Sequence, residues 1–422
     1  MCDVMQDKEF FVKLFQAAVE AADPERTIAA HLPEKPRGRT IVIGAGKGSA
    51  QMASAFEKAW DGPLEGVVVT RYGFGAPCER IEIIEASHPV PDAAGLIASK
   101  RLLETVSGLT EDDLVVALIS GGGSALLPSP PDGMTLEDEI AVNKALLASG
   151  APISAMNAVR KHLSTIKGGR LAAAAHPARV FSLIVSDIPG DNPAFVASGP
   201  TVADETTRED ALRIVERYNL DLPAAALKHL QSTAADAPKP SDTKFATHEH
   251  RVIASAAVSL EASAKAARAL GIEAVVLSDA IEGEAREVAH VHSALAKQVL
   301  NKNQPFTKPV VILSGGETTV TVRGKGRGGR NSEFLLSLAI DIDGYDGLSA
   351  FAADTDGIDG SEDNAGAFAD GSTIARLLEK GLDASAYLNG NDAWSAFNTI
   401  DDLYVPGPTG TNVNDLRAIL VR

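Results

Sequence analysis

The sequence predicts a two-domain α/β protein, and three observations carry that expectation. Its 422 residues exceed what one core usually holds, since cores tend to divide beyond ~250–300 residues. Short β-branched runs alternate with helical patterns along almost the whole chain, which predicts mostly parallel sheets in doubly wound layers. Hydrophobic residues make up 45% of the chain but aromatics only 5%, a balance suited to layers of small and branched side chains.

The first helix is expected over residues 10–22. There Phe11, Leu14, Phe15, Ala18 and Val19 recur at helical spacing, and Asp23-Pro24 closes the pattern. Strand-like runs follow at 40–43, 66–70, 81–85, 114–119, 180–185, 251–254, 274–277, 309–313, 320–322 and 348–352. Helical patterns fall at 49–60, 93–107, 136–148, 153–167, 208–218, 260–270, 284–300, 331–340 and 372–380. Residues 231–250 are rich in Ala, Pro, Ser and Thr and lack periodicity, so they read as a linker. The expected domains are therefore 1–235, Rossmann-like and doubly wound, and 236–422, a second α/β domain.

A net charge of −17 opposes nucleic acid and anionic membranes over most of the surface, so any anion site must be a local basic pocket. The two cysteines, Cys2 and Cys78, suit a reducing compartment. No secretory signal is visible, and no apolar run approaches the ~20 residues that cross a bilayer. A cytoplasmic enzyme, monomer or homodimer, is the expectation.

Several glycine-rich loops fall at the carboxyl ends of predicted strands, where ligands bind in open α/β sheets. Gly44-Ala45-Gly46-Lys47-Gly48-Ser49 joins a strand to a helix, and glycines there let an anion approach the backbone and the helix N-terminus. It matches neither familiar fingerprint. The dinucleotide pattern needs glycine where Ser49 stands, and the phosphate-loop pattern needs Ser or Thr where Gly48 stands. A lysine inside the turn is expected if an ammonium must reach a transferring phosphate. Ser120-Gly121-Gly122-Gly123-Ser124 forms a second candidate nest for an oxyanion. A shorter echo, Ser314-Gly315-Gly316-Glu317, supplies further candidates for substrate or phosphate binding.

Arg323-Gly324-Lys325-Gly326-Arg327-Gly328-Gly329-Arg330 places four cations in eight residues of an acidic chain. Self-repulsion and glycine entropy oppose an ordered loop, and a bound polyanion would offset both. Along 153–167, Asn157 and Lys161 share one helix face and Arg160 another, offering donors to an anion. Asp187 and Asp191 flank a proline turn, as general base, metal ligand or cap. Asp354-Thr355-Asp356-Gly357-Ile358-Asp359 suggests a Mg²⁺ site, or capped turns.

Taken in order, GAGKGSAQMA, SHPVPD, SGGGSALLPSP, NAVRKHLSTIKGGRLA, SDIPGD, ASGPT, SGGETTVTVRGKGRGGRNSEF and DTDGIDG resemble the class II glycerate 2-kinase family, whose C-terminal domain is of the MOFRL type. The resemblance covers nearly the whole chain. It implies two α/β domains with the site in the cleft between them. It also implies ATP- and Mg²⁺-dependent transfer of phosphate to the 2-hydroxyl of D-glycerate, giving 2-phosphoglycerate. By motif, the family's catalytic lysine and arginine fall on Lys47 and Arg330, two halves of one phosphate clamp. Asp187 is the candidate for orienting the hydroxyl. Asp356 and Asp359 are the candidates for Mg²⁺. Lys325, Arg160, Lys161 and the Ser120–Ser124 loop are candidates for gripping nucleotide phosphates or the glycerate carboxylate. The family's GGRNQE reads GGRNSE here, with Ser332 in place of glutamine. Some relatives carry the name hydroxypyruvate reductase, so an NAD(P)H-dependent reductase is the competing expectation. An RNA-binding module built on residues 323–330 is a third, opposed by the overall acidity.

Overall fold

The computed structural model describes residues 6–422; Cys2 lies outside them. The chain divides into two compact units: Pro24–Ile253, and Ala254–Arg422 together with the N-terminal segment through Asp23. This differs from the expected 235/236 boundary at both ends. Residues 231–250 are not a free linker. Arg170 Nη2 donates to the carbonyls of Ala235 and Asp236 at 3.0 and 3.1 Å, and the His162 Nδ1 lies 2.7 Å from the Ala235 carbonyl. These contacts bind the segment into the first unit. The helix Asp7–Ala21, in turn, belongs with the C-terminal unit. Ser259 and Ser263 donate to the carbonyls of Ala18 and Leu14, and Phe11 and Phe15 pack their rings on Phe351. Periodicity shows that a helix has an apolar face, but not which core receives it.

The Pro24–Ile253 unit is built on a six-stranded sheet, with strands β1 (Thr40–Ala45), β2 (Glu65–Arg71), β3 (Ile81–Ala86), β4 (Leu114–Ser120), β5 (Arg179–Val185) and β6 (Glu249–Ala254) in the order β3-β2-β1-β4-β5-β6. The ladders among the first five strands are parallel. β1 and β4 are buried along their full length, as a sheet covered on both faces requires. The chain runs outward from β1 through β2 to β3, then returns to β4 on the other side. The gap beyond the carboxyl ends of β1 and β4 is thus the topological switch point, where open α/β sheets place their ligands.

The other unit carries β7 (Glu273–Val276), the two-residue strands β8 (Gly283–Glu284) and β10 (Thr318–Thr319), β9 (Val310–Ser314), β11 (Leu348–Asp354), β12 (Gly366–Asp370), β13 (Leu403–Tyr404) and β14 (Asp415–Val421). Its main sheet runs β13-β12-β11-β14-β9-β7. Within that sheet, among the described residues, only the β7–β9 ladder is parallel; the ladders joining β9, β14, β11, β12 and β13 are antiparallel. The expectation of mostly parallel sheets therefore fails in this unit. The last strand, β14, inserts between β9 and β11 antiparallel to both, and β11, β12 and β13 pair antiparallel in succession. Residues 320–322, expected as a strand, have no ladder partner.

Phe351 sits at the centre of this core, fully buried and within ring contact of Phe11, Phe15, Phe368 and Tyr404. Phe351→Ala is expected to cost about 3–5 kcal/mol through lost burial and the cavity left behind. Denaturant unfolding followed by circular dichroism measures it, and a loss below about 1 kcal/mol would contradict the packing described.

Candidate active site

In the first unit the switch point is occupied by the Gly46–Gly48 turn and the Ser120–Gly123 loop. Gly46 has φ +143°, and a side chain there would run into Ser120. The turn is held from both sides. Lys47 N–H donates to the Gly121 carbonyl at 2.8 Å, and the Lys47 carbonyl accepts from Thr70 Oγ1 at 3.1 Å. Gly48 N–H donates to Ser120 Oγ at 3.0 Å, and the Ser49 and Ser120 hydroxyls are 3.1 Å apart. The Ser120 hydroxyl is therefore buried and engaged within the scaffold, and not offered to a ligand as expected. The helix Ser49–Ala59 then starts with its free N–H groups at the turn.

With its backbone fixed, Lys47 is left with a half-buried side chain whose ammonium has no hydrogen-bond or ion-pair partner among the described residues. It lies along Gly122 (φ +77°), where an added Cβ would come within 2.9 Å of Lys47 Cγ and 3.1 Å of His88 Nε2. A Cβ at Gly121 would collide with the Asp187 carboxylate. Glycine is thus required on both counts, and the loop brings Lys47, His88 and Asp187 to one short stretch of backbone. Burial, then the charges of Lys47 and Arg71, push His88 down to about 4, so its imidazole is neutral near pH 7.

Other candidates serve as support. Ser124 and Ser198 share a hydrogen bond at 2.7 Å, Ser198 Oγ donates to Asn157 Oδ1 at 3.0 Å, and Asn157 Nδ2 donates to the Phe195 carbonyl at 3.4 Å. Ala197 and Ser198 both adopt positive φ, at 52° and 60°, a strained pair that this chain of hydrogen bonds holds in place. Buried Asn157 thus braces the loop from behind and does not grip an anion directly. Lys161 departs further from the expected anion-gripping role. Its side chain is fully buried, its ammonium lies 3.2 Å from Asp204 and 4.8 Å from the Phe195 ring, and burial lowers its pKa. Its charge is answered inside the unit. Arg160 Nε donates to Asn143 Oδ1 at 2.8 Å.

In the second unit Arg330 opens the helix Arg330–Asp341. Its guanidinium donates from Nε to Asp415 Oδ1 (2.8 Å), from Nη2 to Asp354 Oδ2 (2.7 Å) and from Nη1 to Glu317 Oε1 (2.9 Å). Burial alone would lower its pKa, but Asp415, Asp354 and Glu317 outweigh it and hold the group above the usual arginine value. Asp354 shifts upward, because burial and the charge of Asp415 exceed the opposing effect of Arg330. Arg417, also fully buried, pairs with the other oxygen of Asp415 and donates to the Gly315 carbonyl at 3.3 Å. Gly316 (φ +110°) packs against the backbone of Ile281, and its carbonyl accepts from Asp415 N–H at 3.2 Å. Gly315 and Gly316 therefore allow close approach of the Asp415 and Ile281 backbones, and Glu317 is the member of that loop that touches Arg330.

The aspartates after β11 divide differently from the expectation. Asp359 is fully buried. Its Oδ1 accepts from Asn331 N–H at 2.9 Å, and its Oδ2 from the N–H and hydroxyl of Ser332 at 2.8 and 2.7 Å. It caps the helix that Arg330 begins, in a place where a carboxylate meets the positive dipole end. That role replaces the expected one as a Mg²⁺ ligand. Ser332, which stands where the family has glutamine, holds this cap. Asp356 is half-buried, with one oxygen accepting from Ile358 N–H at 2.8 Å. Among the described residues no group of three or more His, Cys, Asp or Glu side chains is placed to hold a metal ion. These residues do not fit a resident Mg²⁺ site.

The basic loop is ordered by protein partners. Arg323 and Gly324 N–H groups donate to Asn391 Oδ1 at 2.8 and 2.9 Å, and Arg327 pairs with Glu362 and lies 3.6 Å over the Trp394 ring. Arg323 and Lys325 remain exposed. His88, Ser198, Asp415 and Arg417 are the site residues that sequence reasoning did not single out, and Asp354, expected in a Mg²⁺ site or a capped turn, instead pairs with Arg330. SHPVPD pointed at His88 without a role, and nothing in the pattern around Asp415 distinguishes it from a surface carboxylate.

Known proteins resemble this chain over most of its length. Residues 10–231 match a domain of unknown function, DUF4147, and residues 310–415 match the MOFRL family. A protein of Agrobacterium vitis that carries the provisional name hydroxypyruvate reductase is 53% identical over 97% of this chain and 93% of its own length. The D-glycerate 2-kinase of Thermotoga maritima is 39% identical, with 99% of each chain covered. The crystal structure of glycerate kinase from the same organism superposes with a TM-score of 0.90 at 38% identity, covering 98% of this chain and 99% of that one. Among the described residues no helix is long and apolar enough to cross a membrane. The ordered motifs, the two domain matches and the full-length likeness lead to one conclusion: this chain belongs to the class II glycerate 2-kinase family.

Proposed function

We propose that this protein transfers the γ-phosphoryl group of ATP to the 2-hydroxyl of D-glycerate, giving 2-phosphoglycerate and ADP. The observation that carries the proposal is Lys47: an ammonium without a partner among the described residues, on a hydrogen-bonded glycine turn at a helix N-terminus, near Asp187 and the Gly121–Gly123 backbone. Phosphoryl transfer asks the protein mainly for positioning and charge neutralisation. Lys47 and Arg330 are the cations assigned to that work. Asp187 orients the attacking hydroxyl and takes its proton as the new O–P bond forms and the bond to the ADP oxygen breaks. Lys325 and Gly46, with the glycines of 121–123, are assigned to phosphate contacts.

Mg²⁺ enters as part of the substrate, carried by the nucleotide, and Asp356 is the protein contact assigned to it. This suits the ion's habit of keeping few protein ligands beside the phosphates. The experiment is incubation with ATP, Mg²⁺ and D-glycerate, followed by identification of the product. 2-Phosphoglycerate is expected; 3-phosphoglycerate, or no ADP release, would overturn the proposal.

The reductase reading rests on the name of the Agrobacterium relative. Against it stands the turn itself. Ser49 occupies the place of the third glycine, and the Lys47 side chain fills the space along Gly122. No hydroxypyruvate-dependent oxidation of NADPH is expected.

A further inference from the structure

The Arg323–Gly329 segment contains no regular secondary structure and four glycines, yet its backbone is pinned at successive points to one turn of the same unit, Gly390–Asp392. Asn391 Oδ1 accepts from both Arg323 N–H and Gly324 N–H. Gly326 N–H donates to the Gly390 carbonyl at 3.1 Å, Arg327 N–H to Asp392 Oδ1 at 2.9 Å, and Trp394 N–H to the Arg327 carbonyl at 3.0 Å. Asn391 is buried, and its backbone adopts φ +53°, a conformation asparagine tolerates better than most residues. Its Nδ2 donates to Glu333 Oε2 at 2.9 Å, on the helix that Arg330 begins, and Arg286 holds the other oxygen of Glu333 at 2.6 Å. Side chains at Gly324 and Gly326 would collide with Gly390–Asp392. These glycines therefore serve close approach, not mobility.

The cations divide in two. Arg327 is engaged by Glu362 and Trp394, whereas Arg323 and Lys325 are exposed and have no side-chain partner among the described residues. An ordered loop that keeps two neighbouring cations unpaired in a chain of net charge −17 is arranged for a multiply charged anion.

We propose that Asn391 is a positioning residue, which clamps the Arg323–Arg327 backbone so that Arg323 and Lys325 together hold the polyphosphate of the nucleotide. The proposal rests on the kinase reading for the identity of the nucleotide, and on geometry alone for the clamp. Asn391→Gly deletes the side-chain bonds and keeps the positive φ. It is expected to raise KM for MgATP about tenfold, with kcat and KM for glycerate within threefold of wild type. It is also expected to expose residues 323–327 to trypsin, which should leave the wild-type loop uncut. Gly324→Ala leaves Asn391 intact but displaces the loop, and should reproduce both changes if Asn391→Gly fails to fold. Inorganic tripolyphosphate, followed by calorimetry, should bind about tenfold more weakly to either variant. Unchanged KM for MgATP with an uncut loop would overturn the clamp, as would a loss confined to kcat. If the wild type makes no phosphoglycerate, the kinase reading fails. Trypsin and tripolyphosphate still decide the clamp.

Discussion

Lys47→Met is expected to lower kcat by about 10²–10³-fold or more, the range for removing one pre-aligned charge-stabilising group from a transition state. Little else should change. The ammonium has no partner among the described residues, and the bonds that hold the turn belong to the backbone of Lys47 and to Gly48, Ser49, Thr70 and Ser120. A methionine fills the same volume along Gly122. The melting temperature should therefore stay near that of the wild type while ADP release with D-glycerate collapses. Lys47→Arg restores the charge but not the shape. A planar fork needs more room than the space between Gly122 and His88 provides, so only partial recovery is expected. Near-normal turnover of Lys47→Met would remove the central observation from the proposed mechanism.

How much of this was legible in the sequence depends on the kind of signal. The first sheet could be read nearly strand by strand, because buried parallel strands are continuous apolar runs and their loops are marked by glycine. The second sheet was half legible. β14 contains Arg417 within LRAIL, and a buried arginine breaks the apolar run that identifies such a strand. The same residue explains why Asp415 went unnoticed: its importance lies in being paired with Arg417 and Arg330, 2 and 85 residues away in the chain. The glycine turns located the site because they mark where backbone must approach something closely. They did not distinguish an anion from another segment of backbone. That is why 323–330 reads as a site awaiting a polyanion, although Gly390–Asp392 already accounts for its order. Charge was misread at Lys161 and Asp359. Both sit in motifs rich in donors or carboxylates, and both are consumed by partners, Asp204 and the helix N-terminus, that only the fold brings near.

Arg330→Met should combine two losses that different measurements separate. In catalysis, an arginine that neutralises a transferring phosphoryl group is worth about 10³–10⁵ in rate, so turnover should fall by that order. In stability, the substitution leaves Asp354 buried without its cation, while Asp415 keeps Arg417 and Asn331 and Glu317 turns to solvent. Removing one partner of a buried pair costs ~3–5 kcal/mol, and these compensations place the expected loss at about 3 kcal/mol. The stability loss carries a pH signature. Burial and Asp415 already raise the pKa of Asp354, with Arg330 acting against them. Without Arg330 the folded-state pKa rises further above the unfolded value. A carboxyl shifted in that direction favours the folded state when protonated, so its penalty appears as pH rises and fades as pH falls. The stability gap between wild type and Arg330→Met should thus narrow as pH is lowered from roughly 7 toward 5, in denaturant titrations at each pH. Arg330→Lys keeps one charge but cannot form the three-way fork to Asp415, Asp354 and Glu317. It should recover much of the stability and little of the turnover. Equal recovery of both would mean that Arg330 is a structural cation, and that the positive charge serving the phosphoryl group comes from elsewhere in the loop.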